Sequence, residues 1–433
     1  MKHKLIFASV GILGLISNLA LAHTQTQSQA ASYQHKKTHH VTEVQYKGDY
    51  KDMGALPTIV VPQVDLHQLR YDAMSQNTGR SKAMPDWFNR IGISGGLNVD
   101  GHWGNRTSGY MGENYVRVSV NDAYMNISAN INDWAKAFSS LSYSNFSGPN
   151  GVIGGSYSTA YTNDLINLEQ GYVTIGNFAV SPIFFQVGKQ FTDYGRYQIH
   201  PLVRTMAEVM TESLQPSAKL GFITQGGLHG DIYAFDNPAT QFRHQHSNTI
   251  YGAALGFDQI NDYIGFDVGI GYMSNIVGVN DIRSMIGNAP FFNRNYVHLV
   301  GGLAVYADVN SGPFSISARY TSAIQQFNPV DLSTQFENPF ASGARPWAAD
   351  VTGGYNFNAW SRSQNLYIGL QSSNFAVNLG LPRTRLLIGY NIDMWKNTNV
   401  GFEWDHDKAY SSGNRGTGRS ENIVGARASI KFG

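Results

Sequence analysis

The chain has 433 residues, of which only 14% are charged, and its formal net charge is +1. Its 46 glycines and its 12% of aromatic residues favour many strands and tight turns over helical bundles. The near-zero net charge offers no basic footprint for nucleic acid, so we expect no nucleic-acid partner. The absence of cysteine excludes thiol catalysis, thiolate metal sites and disulfides.

The first 22 residues predict a secretory signal peptide. Lys2 and Lys4 precede an apolar run that begins at Leu5, and Ala20 and Ala22 form a small-residue cleavage site. The alternative is a retained membrane anchor, but a polar segment follows the run at once. No later stretch reaches the roughly 18 apolar residues of a membrane-spanning helix. We therefore expect export from the cytoplasm.

Residues 23–87 predict a largely flexible periplasmic arm, because they are polar and have little to bury. His35, His39 and His40 could bind a metal ion, but solvated histidines are the preferred interpretation, so no metal site is expected. Residues 57–61 (PTIVV) look like the energy-coupling box of TonB-dependent receptors. Those receptors carry a far larger plug, so a short apolar strand in the barrel mouth or on a partner is the better interpretation.

Residues 88–433 repeat a period-two alternation, which is the signature of strands whose successive side chains face opposite sides. In the last run, Val424, Ile430 and Phe432 share one parity, whereas Arg427 and Ser429 share the other. Charged residues in other runs also oppose the apolar parity, namely Asp267, Arg319, Arg385 and Glu403. This pattern is expected of a wall between lipid and a hydrated lumen.

The connections between these runs alternate in length. Short ones fall near residues 131–134, 176–182, 224–227, 259–262, 310–313, 358–363 and 393–398. Long ones fall near 101–111, 147–167, 193–216, 237–246, 274–293, 324–344, 375–382 and 409–420. A soluble sandwich has no reason for this order, whereas outer-membrane barrels have short periplasmic turns and long extracellular loops. The sequence predicts an all-β, transmembrane, antiparallel up-and-down β-barrel of about 16 strands over residues 88–433.

Aromatic residues support the same orientation. Trp134, Phe178, Trp360 and Trp395 lie near the short turns, as in an interfacial girdle, and Phe432 resembles the assembly signal of outer-membrane proteins. We expect a place in the outer membrane of a Gram-negative bacterium, both termini periplasmic, with membrane lipids and the barrel-assembly machinery as partners. A homotrimer is expected by analogy with sixteen-strand porins. The sequence has neither a G-x-S-x-G elbow nor a phosphate loop, so we expect no enzymatic activity and no cofactor.

The third long loop is the first candidate site. Between Pro201 and Pro216 it carries an apolar stripe at helical spacing, consisting of Leu202, Met206, Val209, Met210 and Leu214. General porins fold their third loop into the lumen as a constriction. By that analogy the pore residues are Asp193, Arg196, His200, Arg204, Glu208 and Glu212. The alternative is an outer-loop helix packed on its neighbours.

A ladder of charges on the last three strands is the second candidate site. It consists of Arg383, Arg385, Glu403, Asp405, Asp407 and Arg427. Pairing through the turn near Trp395 predicts Arg385 near Asp405, Arg383 near Asp407, and Glu403 near Arg427. Such a mixed-sign wall either orients an ionic solute or only stiffens the barrel through ion pairs.

Three segments carry a resemblance to a known family. Residues 121–134 (NDAYMNISANINDW), 137–143 (AFSSLSY) and 186–195 (QVGKQFTDYG) resemble the LbtU-type siderophore porins of intracellular gamma-proteobacteria. The resemblance implies that a ferric siderophore crosses the outer membrane without a TonB-type plug.

Three functions are therefore carried forward. The first is a porin selective for a ferric siderophore or a similar small solute. The second is a general diffusion porin for small hydrophilic solutes. The third is a structural or adhesin barrel that conducts little. A lumen-folded third loop favours the first, a bare water-filled pore the second, and a lumen blocked by the arm the third.

Overall fold

The structure, a computed structural model, describes residues 91–105, 115–143, 166–178, 180–196, 201–224, 226–237, 239–241, 248–260, 264–286, 295–335 and 338–432. The predicted signal peptide and arm lie outside the described residues. So do the arm histidines and residues 57–61.

The described residues form a closed antiparallel barrel of sixteen strands, which follow one another around the ring in chain order and close between the first and the last. This confirms the predicted fold class. Its strands are β1 Ile91–Asn105, β2 Tyr115–Asn130, β3 Ala135–Tyr143, β4 Ile166–Ile175, β5 Ile183–Phe191, β6 Leu214–Ile223, β7 Leu228–Asp236, β9 Thr249–Ile260, β10 Ile264–Met273, β12 Gly302–Ser311, β13 Phe314–Ala323, β14 Trp347–Ala359, β15 Arg362–Asn374, β16 Thr384–Trp395, β17 Thr398–Lys408 and β18 Ser420–Phe432. The short strands β8 Thr240–Gln241 and β11 Asn295–Tyr296 form a separate parallel pair.

Helical structure is confined to the long connections. Helix α1 spans Met206–Val209, α2 spans Asn280–Ile286, and 3-10 turns lie at Ile276–Gly278, Val377–Leu379 and Ser412–Asn414. Within the described ranges, no helix is both long enough and apolar enough to cross a membrane.

The first and last strands close the ring. Strand β1 pairs with β18 in antiparallel register, from Gly95 opposite Phe432 to Asn105 opposite Asn422. On its other edge, β1 pairs with β2. Backbone groups in lipid must find partners within the protein, and closure gives β1 and β18 those partners.

Side chains alternate across the wall as predicted. On β18, Val424, Ile430 and Phe432 are 42%, 53% and 54% exposed, whereas Arg427 and Ser429 are buried. The exposed face is the apolar one, which suits contact with lipid acyl chains. The polar parity faces inward.

The apolar core lies among the long connections rather than inside a sheet sandwich. Its residues come from α1, from the connection that follows β10 (with its 3-10 turn and helix α2), and from the connections that follow β13 and β15. Fully buried members are Met206, Val209, Ile276, Ile282, Phe327 and Leu379. Packing of these loops against one another fixes the loop end of the barrel.

Two predicted boundaries are wrong. Residues 101–105 belong to β1 and not to a long loop, because they pair with β18 over their whole length. The long connection predicted near 274–293 extends further along the chain, past Val297 and Leu299, since β12 begins only at Gly302. The Val297 N–H donates instead to both carboxylate oxygens of Asp331, each at 2.9 Å.

The predicted helix of the third long loop is also too long. Helix α1 begins after Thr205, whose hydroxyl accepts from the Glu208 N–H at 3.3 Å as an N-cap. Leu214 opposes Phe191 in the β5–β6 ladder, so the predicted stripe ends in a strand. Pro216 lies within β6 rather than beyond a helix.

The assigned lipid face predicts that the loss of stability caused by a cation on that face depends on its depth in the membrane. Ile368 is 53% exposed in the middle of β15, and Trp360 is 81% exposed in the short turn that precedes this strand. Ile368→Arg should lower the free energy of unfolding by about 2–4 kcal/mol, and Trp360→Arg by about 0–1 kcal/mol. Urea unfolding of the refolded barrel in lipid vesicles measures both. Equal costs would contradict the assigned lipid face.

Candidate functional site

One connection crosses the interior of the barrel. Residues 192–213, called the strap below, join β5 to β6 and are described over 192–196 and 201–213. The Met206 N–H donates to Gln371 Oε1 of β15 at 3.2 Å. From β5 to β15 the ring passes β4, β3, β2, β1, β18, β17 and β16, so β15 is eight strands away in a ring of sixteen. The strap therefore reaches the opposite wall.

Carboxylates of that wall hold the strap by its backbone N–H groups. Glu403 of β17 accepts from the N–H of Leu202 at 2.9 Å and from that of Val203 at 3.1 Å. Asp350 of β14 accepts from the N–H of Ala207 at 2.8 Å. These donors precede α1 or lie in its first turn, where a helix has no acceptors of its own. The wall thus satisfies donors that would otherwise be buried without partners.

Arginines of the same wall hold the strap by its carbonyls. Arg427 Nη2 of β18 donates to Leu202 O at 3.1 Å, and Arg385 Nη1 of β16 donates to Arg204 O at 3.3 Å. The carboxylates of the wall thus accept from the N–H groups of the strap, and the arginines of the wall donate to its carbonyl groups. The strap is fixed by its main chain.

Three of the predicted pore residues meet on the strap. Arg204 pairs with Glu212 at 2.6 Å, with Glu208 at 3.4 Å, and with Asp281 of α2 at 2.8 Å. One cation therefore serves three carboxylates. Burial raises the pKa of Glu208 to about 7, an effect that Arg204 opposes and the negative charge of Glu212 increases. His200 lies outside the described residues.

The other two predicted pore residues lie at the start of the strap and pair with the wall. Asp193 accepts from Lys219 Nζ of β6 at 2.5 Å. Arg196 forms an ion pair with Asp267 of β10, and its guanidinium lies 4.9 Å from the ring centroid of Tyr306. The predicted set is therefore split between two ends of the strap. Its role as a constriction stays a prediction.

The charge ladder has a different register from the predicted one. Arg385 lies opposite Asp407 and forms two bonds to its carboxylate, both 2.7 Å long. The predicted neighbour of Arg385, Asp405, lies opposite Leu387 instead. The prediction failed because it centred the turn on Trp395. Trp395 instead pairs with Thr398, so the turn lies at residues 396 and 397, and Arg385 lies opposite Asp407, two positions beyond Asp405.

Arg427 takes a partner from the first strand. Its Nε and Nη2 each bond an oxygen of Asp100 at 2.7 Å, across the β1–β18 seam. Glu403, the expected neighbour, accepts from the strap and from Tyr367 OH at 2.7 Å. The ion pair of Arg427 is therefore made with Asp100 and not with Glu403.

Arg383 does not belong to the lumen ladder. It precedes β16, and its backbone N–H donates to Lys408 O at 2.8 Å. Its Nη1 donates to Ser373 O at 3.0 Å, and its guanidinium lies 5.9 Å from the ring centroid of Tyr410. The predicted approach to Asp407 is wrong, because Arg383 lies at the long-loop rim.

Sequence reasoning missed Asp100, Asp350 and Gln371, although all three contact the strap or its supports. A signal was present, because Asp100 follows Val99 and Asp350 precedes Val351 in strands whose apolar residues face outward. A charged residue on the inward parity therefore identifies a lumen group. It does not identify the partner.

The wall formed by β1, β2 and β4 carries uncharged polar groups. Asn98, Ser119 and Gln170 are 1%, 4% and 0% exposed. Asn98 Nδ2, Ser119 Oγ and both amide atoms of Gln170 have no hydrogen-bond partner among the described residues. In the same part of the chain, no three His, Asp or Glu side chains are arranged to hold a metal ion.

The raised pKa of Glu208 predicts a pH-dependent stability. Folded Glu208 keeps its proton up to pH about 7, whereas the unfolded carboxyl ionises around its ordinary pKa of 4.5. The unfolded state therefore loses its proton first, and stability falls as pH rises through this window. Glu208→Gln should remove that slope. The urea midpoint of the variant minus that of the wild type should increase between pH 5 and pH 8. A difference that stays constant over this range would contradict the raised pKa of Glu208.

The seam pair predicts strong coupling between Arg427 and Asp100. Arg427→Met leaves a buried carboxylate unpaired and should cost about 3–5 kcal/mol of unfolding free energy. Combining it with Asp100→Leu should recover part of that loss, because no lone charge remains. A double-mutant cycle by urea unfolding measures the coupling, and additive costs would refute it.

Comparison with known proteins identifies relatives and a shared fold. No family model matches the chain. A UPF0422 protein of Coxiella burnetii is 25% identical over 359 residues, covering 79% of this chain and 72% of the relative. A UPF0422 protein of Legionella pneumophila strain Lens is 26% identical over 345 residues, and the match spans 73% of this chain and 62% of that relative.

Among solved structures, OprB of Pseudomonas putida has a TM-score of 0.54 at 12% identity, covering 85% of this chain and 97% of that one. The anion-selective porin from Comamonas acidovorans has a TM-score of 0.52 at 9% identity, with coverages of 79% and 99%. These likenesses show the fold. The chain is related to UPF0422 proteins and has the barrel fold of outer-membrane porins.

Proposed function

We propose that the protein is an outer-membrane channel, not an enzyme, that passes small hydrophilic solutes beside a fixed strap. The single observation that carries the proposal is the set of hydrogen bonds between the strap and the far wall. Glu403 and Asp350 hold the backbone N–H groups of Leu202, Val203 and Ala207. A connection bonded through its main chain narrows the lumen without closing and opening.

The uncharged polar groups without partners on β1, β2 and β4 suggest on which side of the ring the solute passes. The strap contacts the side of the ring that includes β14 to β18, whereas Asn98, Ser119 and Gln170 lie on β1, β2 and β4. Amide and hydroxyl groups with unused hydrogen-bonding atoms suit a hydrated solute rich in oxygen. We propose that the pathway runs on this side of the ring, away from the contacts of the strap with β14 to β18.

We further propose that the solute is a ferric siderophore, an iron chelate with many carbonyl and hydroxyl oxygens. The resemblance of residues 121–134 and 186–195 to the LbtU-type siderophore porins supports this choice. The long loops then face outward and the termini face the periplasm, and a homotrimer is the assembly we expect.

A general diffusion porin is the second candidate, and the charge pattern favours it. The cations of the strap and its supports are paired, as in Arg385 with Asp407 and Arg427 with Asp100. Paired charges leave a weak field in the lumen, which discriminates little between ionic solutes.

The test is planar-bilayer conductance of the chain from His23 onward, titrated with a ferric siderophore and with sugars. Saturable block by the iron chelate alone supports the selective porin. Current linear in salt without block assigns the general porin. Absence of current until residues 23–87 are deleted would overturn both in favour of a barrel closed by its arm.

A second measurement tests whether the hydrogen bonds between the strap and the far wall set the conductance. Glu403→Ala removes the acceptor of two strap N–H groups, so single-channel conductance should rise and become noisier. Asp393→Ala is the matched control, since it removes a carboxylate at the short-turn end of the same β16–β17 hairpin. If Glu403→Ala conducts like the control, the strap is not the constriction.

A further inference from the structure

A pocket lies at the long-loop rim, outside the lumen network. Its volume is about 400 Å³, and it is formed where β15 and β17 end and β16 begins. Its polar lining consists of Asn374, Arg383, Lys408, Ser411 and Asn414, with Tyr410 beside them. Two cations and no carboxylate line it. Such a lining favours an anion.

Neither cation has a carboxylate partner in the pocket lining. Arg383 donates from Nη1 to Ser373 O and Asn374 Oδ1 and also bonds the side chain of Tyr410, so its positive charge is held in place by neutral groups. Lys408 is exposed, and its ammonium forms no ion pair among the described residues. The backbone bond from Arg383 N to Lys408 O at 2.8 Å keeps the two residues side by side.

The pocket is rigid before any ligand arrives. Tyr410 is 3% exposed, and its hydroxyl bonds Ser373 Oγ at 2.7 Å and accepts from the Ala376 N–H at 3.3 Å. Gly418 N–H donates to Tyr410 O at 2.8 Å, which closes the loop over the pocket. A preformed site loses little entropy on binding.

The position of Lys408 along the membrane normal indicates which kind of molecule carries the anion. Lys408 shares the outward parity of Phe402, which is 51% exposed, so it lies on the lipid side of β17. From Thr398 at the short-turn end, ten residues at about 3.3 Å rise give roughly 33 Å along the strand. A tilt of about 40° reduces this to about 25 Å, the height of the apolar band. Lys408 thus lies where lipid phosphates begin.

We propose that this pocket binds a phosphate group carried by a glycolipid of the outer leaflet, held by Arg383 and Lys408. The orientation rests on the proposed function, in which the long loops face outward. A bidentate guanidinium and a lysine ammonium are the two side chains that hold phosphates best. The site anchors the β15–β17 face of the barrel to its lipid and takes no part in solute passage.

The test uses the full refolded chain in zwitterionic detergent and the fluorescence anisotropy of labelled, bisphosphorylated lipid A. The double variant Arg383→Gln with Lys408→Gln should bind it about 30-fold more weakly than the wild type. Wild-type protein should lose affinity for the dephosphorylated lipid by a similar factor. The matched control, Arg362→Gln with Lys396→Gln, removes two cations from the short-turn rim and should bind like the wild type.

Three outcomes overturn the proposal. Equal binding by the two double variants would mean that the rim pocket is not the site. Unchanged binding of the dephosphorylated lipid would mean that phosphate is not recognised. If inorganic phosphate binds as tightly as the lipid, the pocket holds a soluble anion. Because the readout is lipid binding, failure here leaves the conductance tests of the channel untouched.

Discussion

Hydrogen bonding between β1 and β18 is the interaction on which the rest of the molecule depends. It removes the two free edges that a sixteen-strand sheet would otherwise expose to lipid, where an unpaired backbone group costs several kcal/mol. The Arg427–Asp100 pair crosses the same seam, and Arg427 also bonds the strap at Leu202 O. Closure of the wall and seating of the strap are therefore coupled through one guanidinium.

A consequence of closure is an interior that must accommodate charges away from bulk water. Each arginine of the last three strands has a bidentate carboxylate partner, since a buried lone charge is far more costly than a paired one. Glu403 and Asp350 are balanced differently, by backbone N–H groups of the strap. The strap thus balances the charge of these two carboxylates, and loosening either one should disturb both the charge balance and the constriction that we propose for the strap.

Much of this arrangement could be predicted from the sequence, for a physical reason. Alternation follows directly from strand geometry, so the lipid face of β18 and the inward position of Arg385 could be assigned without coordinates. Register could not, because it depends on which two residues form the turn, and these are residues 396 and 397 rather than the neighbours of Trp395 on either side. The pairing of Arg427 with Asp100 joins residues 327 positions apart, and only closure of the ring brings them together. Arg383 was misplaced by the same error of register, since its backbone N–H donates to Lys408 O and Asp407 lies opposite Arg385.

The strap also constrains the order in which the chain can assemble. Its bonds run to residues far later in the chain, and the one from Arg427 to Leu202 O spans 225 positions. The strap can therefore form all of its bonds only when the last strand is in place. Contacts of such long range are slow to form. The full set of strap bonds therefore requires a closed barrel, so a lesion at the seam between β1 and β18 reaches the lumen as well as the wall.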